Sequence, residues 1–581
     1  MNQAEVAKIL DDIGTMLEVQ GENPFKTRAY HNGSRVIANL NEDLQTLVAN
    51  KELTKLQGIG EALADKITEL VRTGKLKFYD ELKAKMPKGI EGLLKIQGLG
   101  PKKLKILFDK LHIEDVAGLK KAAEEHRLAS LEGFGKKTEE NILKGIAQVE
   151  VHSTKHLYYE AEDAASQIVQ MLKSTKGVMR VEVAGSLRRC KEVIGDIDIL
   201  VSAKSKDVPK IMETFVSHEE VAQILGKGET KSSVILTSGI NCDLRVVEEA
   251  QYPFALMYFT GSKEHNVQMR SLALRFGWSL NEYSFSKAES ASAKKKPKPL
   301  PKCKSEEEIY HALKLSYVPP ELREGMGELD SAANGSLPQL IEQSDITGTF
   351  HCHTNYSDGG HSLEEMAKAA QALGWQYLGI ADHSKVAAYA NGLSEARLKQ
   401  QHAEIDTLNG TYRNFRLFKG TEVDILPDGS LDWSDKVLAR FDYVVASIHS
   451  KFNMTEKEAT DRLIKALKNK YVTMLGHPTG RVLLQRDGYP VKMIDVIKAA
   501  ADYGKIIEIN AHPSRLDLDW RFCKYAKEQG MMFSINPDAH NTRGLTDVRY
   551  GVNIARKGWL TKNDVLNTRS RSEVEQYLKI S

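Results

Sequence analysis

Residues Val181 to Val201 read VEVAGSLRRCKEVIGDIDILV. The β-branched run VEVA predicts a strand, Gly185-Ser186 opens a basic turn, and GDIDILV predicts a second strand. Side chains alternate along a strand, so Asp196 and Asp198 share one face about two strand rises apart. Two carboxylates so close on an apolar strand repel each other unless a cation lies between them. Mg²⁺ suits the pair, because it takes a few carboxylates and fills its other positions with water and phosphate oxygens. Asp243, in the strand-like run NCDLRVV, is the candidate third carboxylate. Three carboxylates on two adjacent strands can hold two divalent ions, the arrangement that clamps the attacking and leaving oxygens of a phosphoryl transfer. Gly185-Ser186 followed by Arg188-Arg189 adds backbone N–H groups, a hydroxyl and guanidinium forks suited to a polyphosphate.

The rest of the chain bounds this reading. Its 581 residues suggest about three to five domains, and 41% hydrophobic content is ample for buried cores. No apolar run approaches the roughly 20 residues of a membrane span, and the start MNQAEVAKILDDIG reads as an amphipathic helix rather than a signal peptide. Cys190, Cys242, Cys303, Cys352 and Cys523 are scattered, with no Cys-x-x-Cys, as expected of free thiols in a reducing cytoplasm. Net charge is only +3, so any nucleic-acid site must be a local basic patch.

Toward the N-terminus, an apolar–x–Gly–apolar–Gly pattern recurs ahead of three helical segments. The copies are Leu56-Gln57-Gly58-Ile59-Gly60, Ile96-Gln97-Gly98-Leu99-Gly100 and Leu131-Glu132-Gly133-Phe134-Gly135. Glycines supply the tight turn, and N–H groups at the following helix start can take a phosphate. The pattern resembles helix–hairpin–helix elements, which grip the DNA backbone without reading sequence.

From about residue 345 short apolar runs alternate with helical segments, the signature of a parallel α/β barrel. Candidate ligands cluster where the runs end: His351, His353 and Asp358, then His383, Glu422, His449, His477, Asp538 and His540. Barrel enzymes gather their sites at the carboxyl ends of strands in this way. Six histidines with three carboxylates favour Zn²⁺, Mn²⁺ or Fe over Mg²⁺. His361 and His512 fall outside the pattern and read as structural. Arg481, Arg486 and Arg515 are candidate phosphate contacts.

Two resemblances follow from these motifs. Gly185-Ser186, Asp196, Asp198 and Asp243, continued by Tyr258-Phe259-Thr260-Gly261-Ser262, Asn266, Arg270 and Leu280-Asn281-Glu282-Tyr283, resemble the nucleotidyltransferase palm of the family X DNA polymerases. The nine later ligands resemble the PHP (polymerase and histidinol phosphatase) domain, a distorted seven-stranded barrel holding about three metal ions; Thr349-Phe350 departs from it where an acidic residue is frequent. Together they resemble bacterial family X polymerases with a C-terminal PHP module. The resemblance implies a multidomain α/β chain: an N-terminal DNA-binding domain (1–88), a helical fingers-like domain (89–150), palm (151–250), thumb (251–327), linker (328–344) and PHP barrel (345–581).

It further implies that Asp196, Asp198 and Asp243 are catalytic and hold two Mg²⁺ or Mn²⁺. Gly185, Ser186, Arg189, Tyr258, Phe259, Gly261, Asn266 and Arg270 would bind the incoming dNTP. DNA contacts would come from Gly58, Gly60, Gly98, Gly100, Lys26 and Tyr30. Aligned on Gly58-Ile59-Gly60, Lys66 matches the family's Schiff-base lyase lysine, while a second lysine common there is Ala62. The basic stretch Lys287 to Lys304 is expected to be a mobile loop. The implied activities are short-gap DNA synthesis in base excision repair, 3′–5′ exonuclease and abasic-site cleavage, with gapped or primer-template DNA, dNTPs and other repair proteins as partners. The rival readings are a PHP phosphoesterase with a vestigial polymerase, and a non-catalytic DNA-binding scaffold.

Overall fold

The computed structural model describes residues 1, 3–38, 40, 44–56, 58–87, 89–94, 96, 99–129, 131, 133–152, 154–288 and 299–579. The chain divides into two compact units, residues 1–153 with 359–362, and residues 154–358 with 363–581. Among the described residues no helix is long and apolar enough to cross a membrane. All five cysteines are free thiols.

The first unit is helical. Helices Gln3–Gln20 and Pro24–Ala38 bury Leu10, Ile13 and Ile37 completely. Gly60 and Gly100 are the N-caps of Glu61–Thr73 and Pro101–Leu111, and neither helix start has a side-chain cap. A methyl group placed on Gly60, Gly100 or Gly135 would meet nothing within 4 Å, so these helix starts are open to a ligand. Gly98 lies outside the described residues.

In the second unit a five-stranded sheet runs in the spatial order Val178–Val183, Asp196–Ala203, Asn241–Val247, Lys231–Leu236 and Val221–Lys227. Ile197 and Ile199 are buried on one face of the second strand, which turns Asp196 and Asp198 to the other. The turn expected at Gly185-Ser186 is a single helical turn, Gly185–Arg188. Helices Tyr252–Thr260 and Lys263–Arg275 and the ribbon of Trp278–Leu280 with Phe285–Lys287 follow. Most of the basic stretch read as a mobile loop, residues 289–298, lies outside the described residues.

The segment read as a linker is packed structure. Glu328–Asn334 is a helix, and Glu328 is fully buried, 2.8 Å from His265 Nδ1. Leu340 and Ile341 are buried too. Its Asn-Gly-Ser composition suggested a tether, but these side chains have partners far away in sequence, which local composition cannot show.

Seven parallel strands then follow in consecutive order from Gly348–Cys352 to Phe533–Asn536. The outer two approach closure where the His353 N–H donates to the Ala539 carbonyl at 2.8 Å. Phe350, Tyr377, Phe418 and Tyr443 fill the interior. Burying each ring stabilises the fold by roughly 1.5–3 kcal/mol. Gly420 admits Tyr443: a Cβ there would lie 2.3 Å from its ring.

Candidate active sites

In the palm sheet the Asp196–Ala203 and Asn241–Val247 strands run parallel, with Asp198 directly opposite Asp243. The alternation that exposes Asp196 beside Asp198 therefore assembles three carboxylates on one face. Gly185 is required here. Its φ is +60°, and a Cβ would lie 2.1 Å from Asp198 Oδ2, so only glycine lets the turn approach the carboxylate. Burial, then Asp196 and Asp243, push the Asp198 carboxyl up to about 7, against the pull of Lys231 and Arg245. Lys231 Nζ lies 2.6 Å from Asp243. Carboxylates that raise one another in this way accommodate divalent cations well.

The basic turn continues the site. Arg189 donates to the Thr260 carbonyl at 2.5 Å and to Glu324 at 3.1 Å, and its Nη1 lies 3.2 Å from where a Cβ on Gly261 would be. Arg188 is committed elsewhere, bonded to Glu306 and to Thr260 Oγ1. Phe259, Asp198, Asp243 and Arg245 line a cavity of about 120 Å³. Tyr258 packs edge-on to Phe259 at 5.3 Å and accepts a hydrogen bond from Asn266 Nδ2 at its carbonyl. Arg270 is exposed one turn further along the same helix.

The barrel gathers all nine residues predicted there as ligands. Four overlapping groups have ligand atoms within 4.8 Å of one another: His353, Asp358, His383 and His540; His351, His353 and Asp538; His351, Glu422 and His477; and His383, Glu422 and His449. Glu422 is the hub. Its Oε1 lies 2.8 Å from His477, 3.0 Å from His449 and 3.2 Å from His351, and its Oε2 lies 3.1 Å from His383 and 3.7 Å from His353. His351 Nε2, both nitrogens of His353 and His383 Nδ1 are buried without a hydrogen bond. Buried imidazole nitrogens that face carboxylates without bonding them fit a shared metal cluster. His351, His477 and Asp538 have φ of +55°, +22° and +52°, strain held at three of the candidate ligands.

Electrostatics agree with a cation site. Burial lowers His449, but Glu422 and Asp424 outweigh it and lift the ring to about 10. Burial likewise lowers His540, and Asp358 and Asp538 lift it to about 9. His383 goes the other way, down to about 3, because burial and the neighbouring His353 and His449 outweigh Glu422. The carboxylates thus favour positive charge overall, with the rings competing for it.

Sequence reading missed a supporting layer. Glu508, fully buried on Ile506–Asn510, lies 2.6 Å from His351 Nδ1 and accepts the His477 N–H at 2.6 Å. Asp424 lies 2.7 Å from His449 Nδ1. Carboxylates behind metal-binding histidines fix the tautomer and orient the ring. A lone Glu inside the apolar run IIEIN was the available signal. Of the three arginines, Arg481 bonds the Arg515 and Leu516 carbonyls and Asp519, and Arg486 bonds the Gly480 carbonyl and stacks over Phe452. Only Arg515 reaches the cluster, 3.7 Å from Asp538. Arg481 and Arg486 shape loops instead. His512 is held by Ser514 at 2.8 Å.

In the first unit, Tyr30 is buried and stacks on Phe78 at 6.2 Å, and both Lys26 and Lys66 place their ammonium groups over that ring, at 6.0 and 5.3 Å. Lys66 also donates to the Ala62 carbonyl at 3.2 Å.

Known families match successive stretches of this architecture. A helix-hairpin-helix domain matches residues 1–76, a SAM-like helix-hairpin-helix tandem 90–148, the DNA polymerase beta palm 158–236, the DNA polymerase beta thumb 255–324 and the PHP domain 349–512. The chain is 38% identical to the DNA polymerase/3′-5′ exonuclease PolX of Bacillus subtilis over the full length of both proteins. The barrel alone resembles probable phosphatases: 29% identity with one from a Thermoanaerobacter species, across 39% of this chain and 93% of that protein, and 32% with one from Acetivibrio thermocellus, across 33% and 78%. The chain is a DNA polymerase and metal-dependent 3′–5′ exonuclease that binds DNA and dNTPs, and it belongs to the bacterial family X DNA polymerases with a C-terminal PHP domain.

Proposed function

We propose that this enzyme fills short gaps during base excision repair and trims damaged 3′ ends with the barrel, which also cleaves at abasic sites. The observation that supports it most is that one chain gathers both sets of candidate ligands: three carboxylates that include Asp198 and nine residues that include Glu422. Asp196, Asp198 and Asp243 would hold two Mg²⁺ or Mn²⁺. The barrel residues would hold about three ions of Mn²⁺, Zn²⁺ or Fe. Divalent ions at such sites neutralise phosphoryl charge and make water a better nucleophile.

The protein's own groups do the positioning. Ser186 and Arg189 would bind the triphosphate, Gly185 and Gly261 admit it closely, and Tyr258 and Phe259 pack the sugar. Asn266 and Arg270 lie toward base and template. In the barrel, Arg515 is the phosphate contact, and Glu508 and Asp424 orient the His351 and His449 rings. Gly58, Gly60 and Gly100 grip the DNA backbone with Lys26 and Tyr30, and Lys66 acts as lyase nucleophile.

Asp196→Ala with Asp198→Ala tests the two-site arrangement. Nucleotide addition should vanish while 3′–5′ exonuclease continues, and loss of both activities in a folded protein would falsify separate sites. A gapped substrate carrying a 5′-deoxyribose phosphate tests the repair role: preference over simple primer-template is expected, and equal rates argue against it.

A further inference from the structure

The palm's basic turn meets the barrel module at a buried electrostatic node. Lys557, the last residue of the barrel helix Val548–Lys557, has no exposed surface. Its ammonium lies 4.7 Å from the Trp520 ring centre and reaches into the polymerase half. There it donates to the Arg189 carbonyl and to Glu324 Oε1, both at 2.8 Å, with the Glu321 carbonyl at 3.4 Å. Glu324 also takes Arg189 Nε at 3.1 Å and lies 3.6 Å from Lys191 Nζ. One nearly buried carboxylate therefore holds three cations, and one of them is the guanidinium read above as a triphosphate ligand.

A carboxylate in such a place needs counter-charge. Burial raises the Glu324 carboxyl, but Lys557 and then Arg189 outweigh it and hold it below its usual range. If Lys557 were neutral, Arg189 would be the main remaining partner, and drawing it toward a phosphate would leave the carboxylate stranded. With Lys557 and Lys191 in place, that cost is removed.

We infer that Lys557 is a positioning residue for nucleotide addition: this lysine of the nuclease module neutralises Glu324 and so leaves the Arg189 guanidinium available to the incoming triphosphate. The inference rests on the reading of Arg189 as a triphosphate ligand. It makes the polymerase's nucleotide affinity depend on a barrel residue that touches none of the barrel's ligands.

The test is steady-state primer extension by the full-length protein with the dNTP concentration varied. Lys557→Met keeps the stem and removes the charge; it should raise the nucleotide KM roughly tenfold with kcat changed less than about threefold. Adding Glu324→Gln should return KM close to wild type, because the carboxylate no longer needs a partner. The 3′–5′ exonuclease rate of the same preparation reports folding. A wild-type KM in folded K557M, or a double variant as impaired as the single, overturns the inference. Should K557M not fold, Lys191→Met removes a partly exposed cation from the same carboxylate and should raise KM in the same direction; a wild-type KM there overturns it equally. Arg189→Lys is assayed alongside. A wild-type KM in R189K overturns both readings, whereas a raised KM in R189K beside a wild-type KM in K557M overturns the Lys557 role alone.

Discussion

His351 Nδ1 lies 2.6 Å from a carboxylate oxygen of Glu508, and neither side chain has any exposed surface. A hydrogen bond from Nδ1 to Glu508 holds the ring so that Nε2 faces Glu422 at 3.2 Å. Glu508→Gln keeps the shape but weakens that control. Loss of such a supporting carboxylate typically lowers metal affinity or activity by about 10–100-fold. The exonuclease of E508Q should fall within that range and recover partly with added Mn²⁺, while primer extension is unchanged. An exonuclease at wild-type rate, with wild-type metal content by atomic emission, would remove Glu508 from the site.

Lys66 gives a second prediction. Its ammonium and that of Lys26 share the Phe78 ring above buried Tyr30. If Lys66 forms a Schiff base, borohydride should trap the enzyme on an incised abasic substrate, and Lys66→Ala should remove the adduct. Undiminished trapping in K66A would move the lyase to another amine, and no trapping in either protein would leave Lys66 a phosphate contact.

The thumb carries a pH-dependent clamp. Glu306 is buried between Arg323, 2.7 Å away, and Arg188, also at 2.7 Å. Burial raises its carboxyl, but Arg323 and Arg188 outweigh it and bring the value down from 4.5 to about 2. A folded pKa below the unfolded one contributes stability that is fully present above pH 4.5 and is lost as pH falls toward 2. The shift corresponds to something on the order of 3 kcal/mol. Hydrogen exchange in the helix Glu306–Ala312 should therefore accelerate in wild type as pH drops from 5 to 3, after correction for intrinsic rates. Glu306→Gln should be faster at pH 7 and show little further change; a parallel pH response in the two proteins would rule this clamp out.

How much of this was legible in the sequence depends on the range of each interaction. Asp196, Asp198 and Asp243 could be read because a strand's alternation is local, and their strands happen to pair in register at Asp198 and Asp243. The barrel candidates could be read because each lies on or after an apolar strand, and parallel strands bring their carboxyl ends together. Glu508 sits on such a strand as well, but whether a carboxylate faces the metals or stands behind a histidine is decided by neighbours two strands away. Asp424 follows Glu422 by two residues on the same strand, yet bonds His449 instead of joining a ligand group. The packed helix at Glu328–Asn334 was hidden for the same reason, since its anchor is His265. Lys557 gave no signal at all: a lysine ending an amphipathic helix is ordinarily solvated, and its burial comes from the module packed against it.

The strongest test of the nuclease centre is Glu422. Five imidazoles lie within 3.7 Å of its two oxygens, and it belongs to two of the four ligand groups, one with His351 and His477 and the other with His383 and His449. A carboxylate so placed would supply negative charge to more than one ion, so removing it should unbalance neighbouring sites rather than delete one contact. Burial raises Glu422, but His449, His351 and His383 outweigh it and hold the carboxyl well below its usual range. Glu422→Gln preserves volume and removes that charge. The expected outcome is loss of more than one metal ion per chain and an exonuclease rate reduced beyond the roughly 100-fold seen for supporting residues, while primer extension with Mg²⁺ alone proceeds at the wild-type rate. Metal content by atomic emission and both activities on one preparation decide it. If E422Q loses a single ion and keeps exonuclease within tenfold of wild type, Glu422 is an ordinary ligand and the metals do not share it.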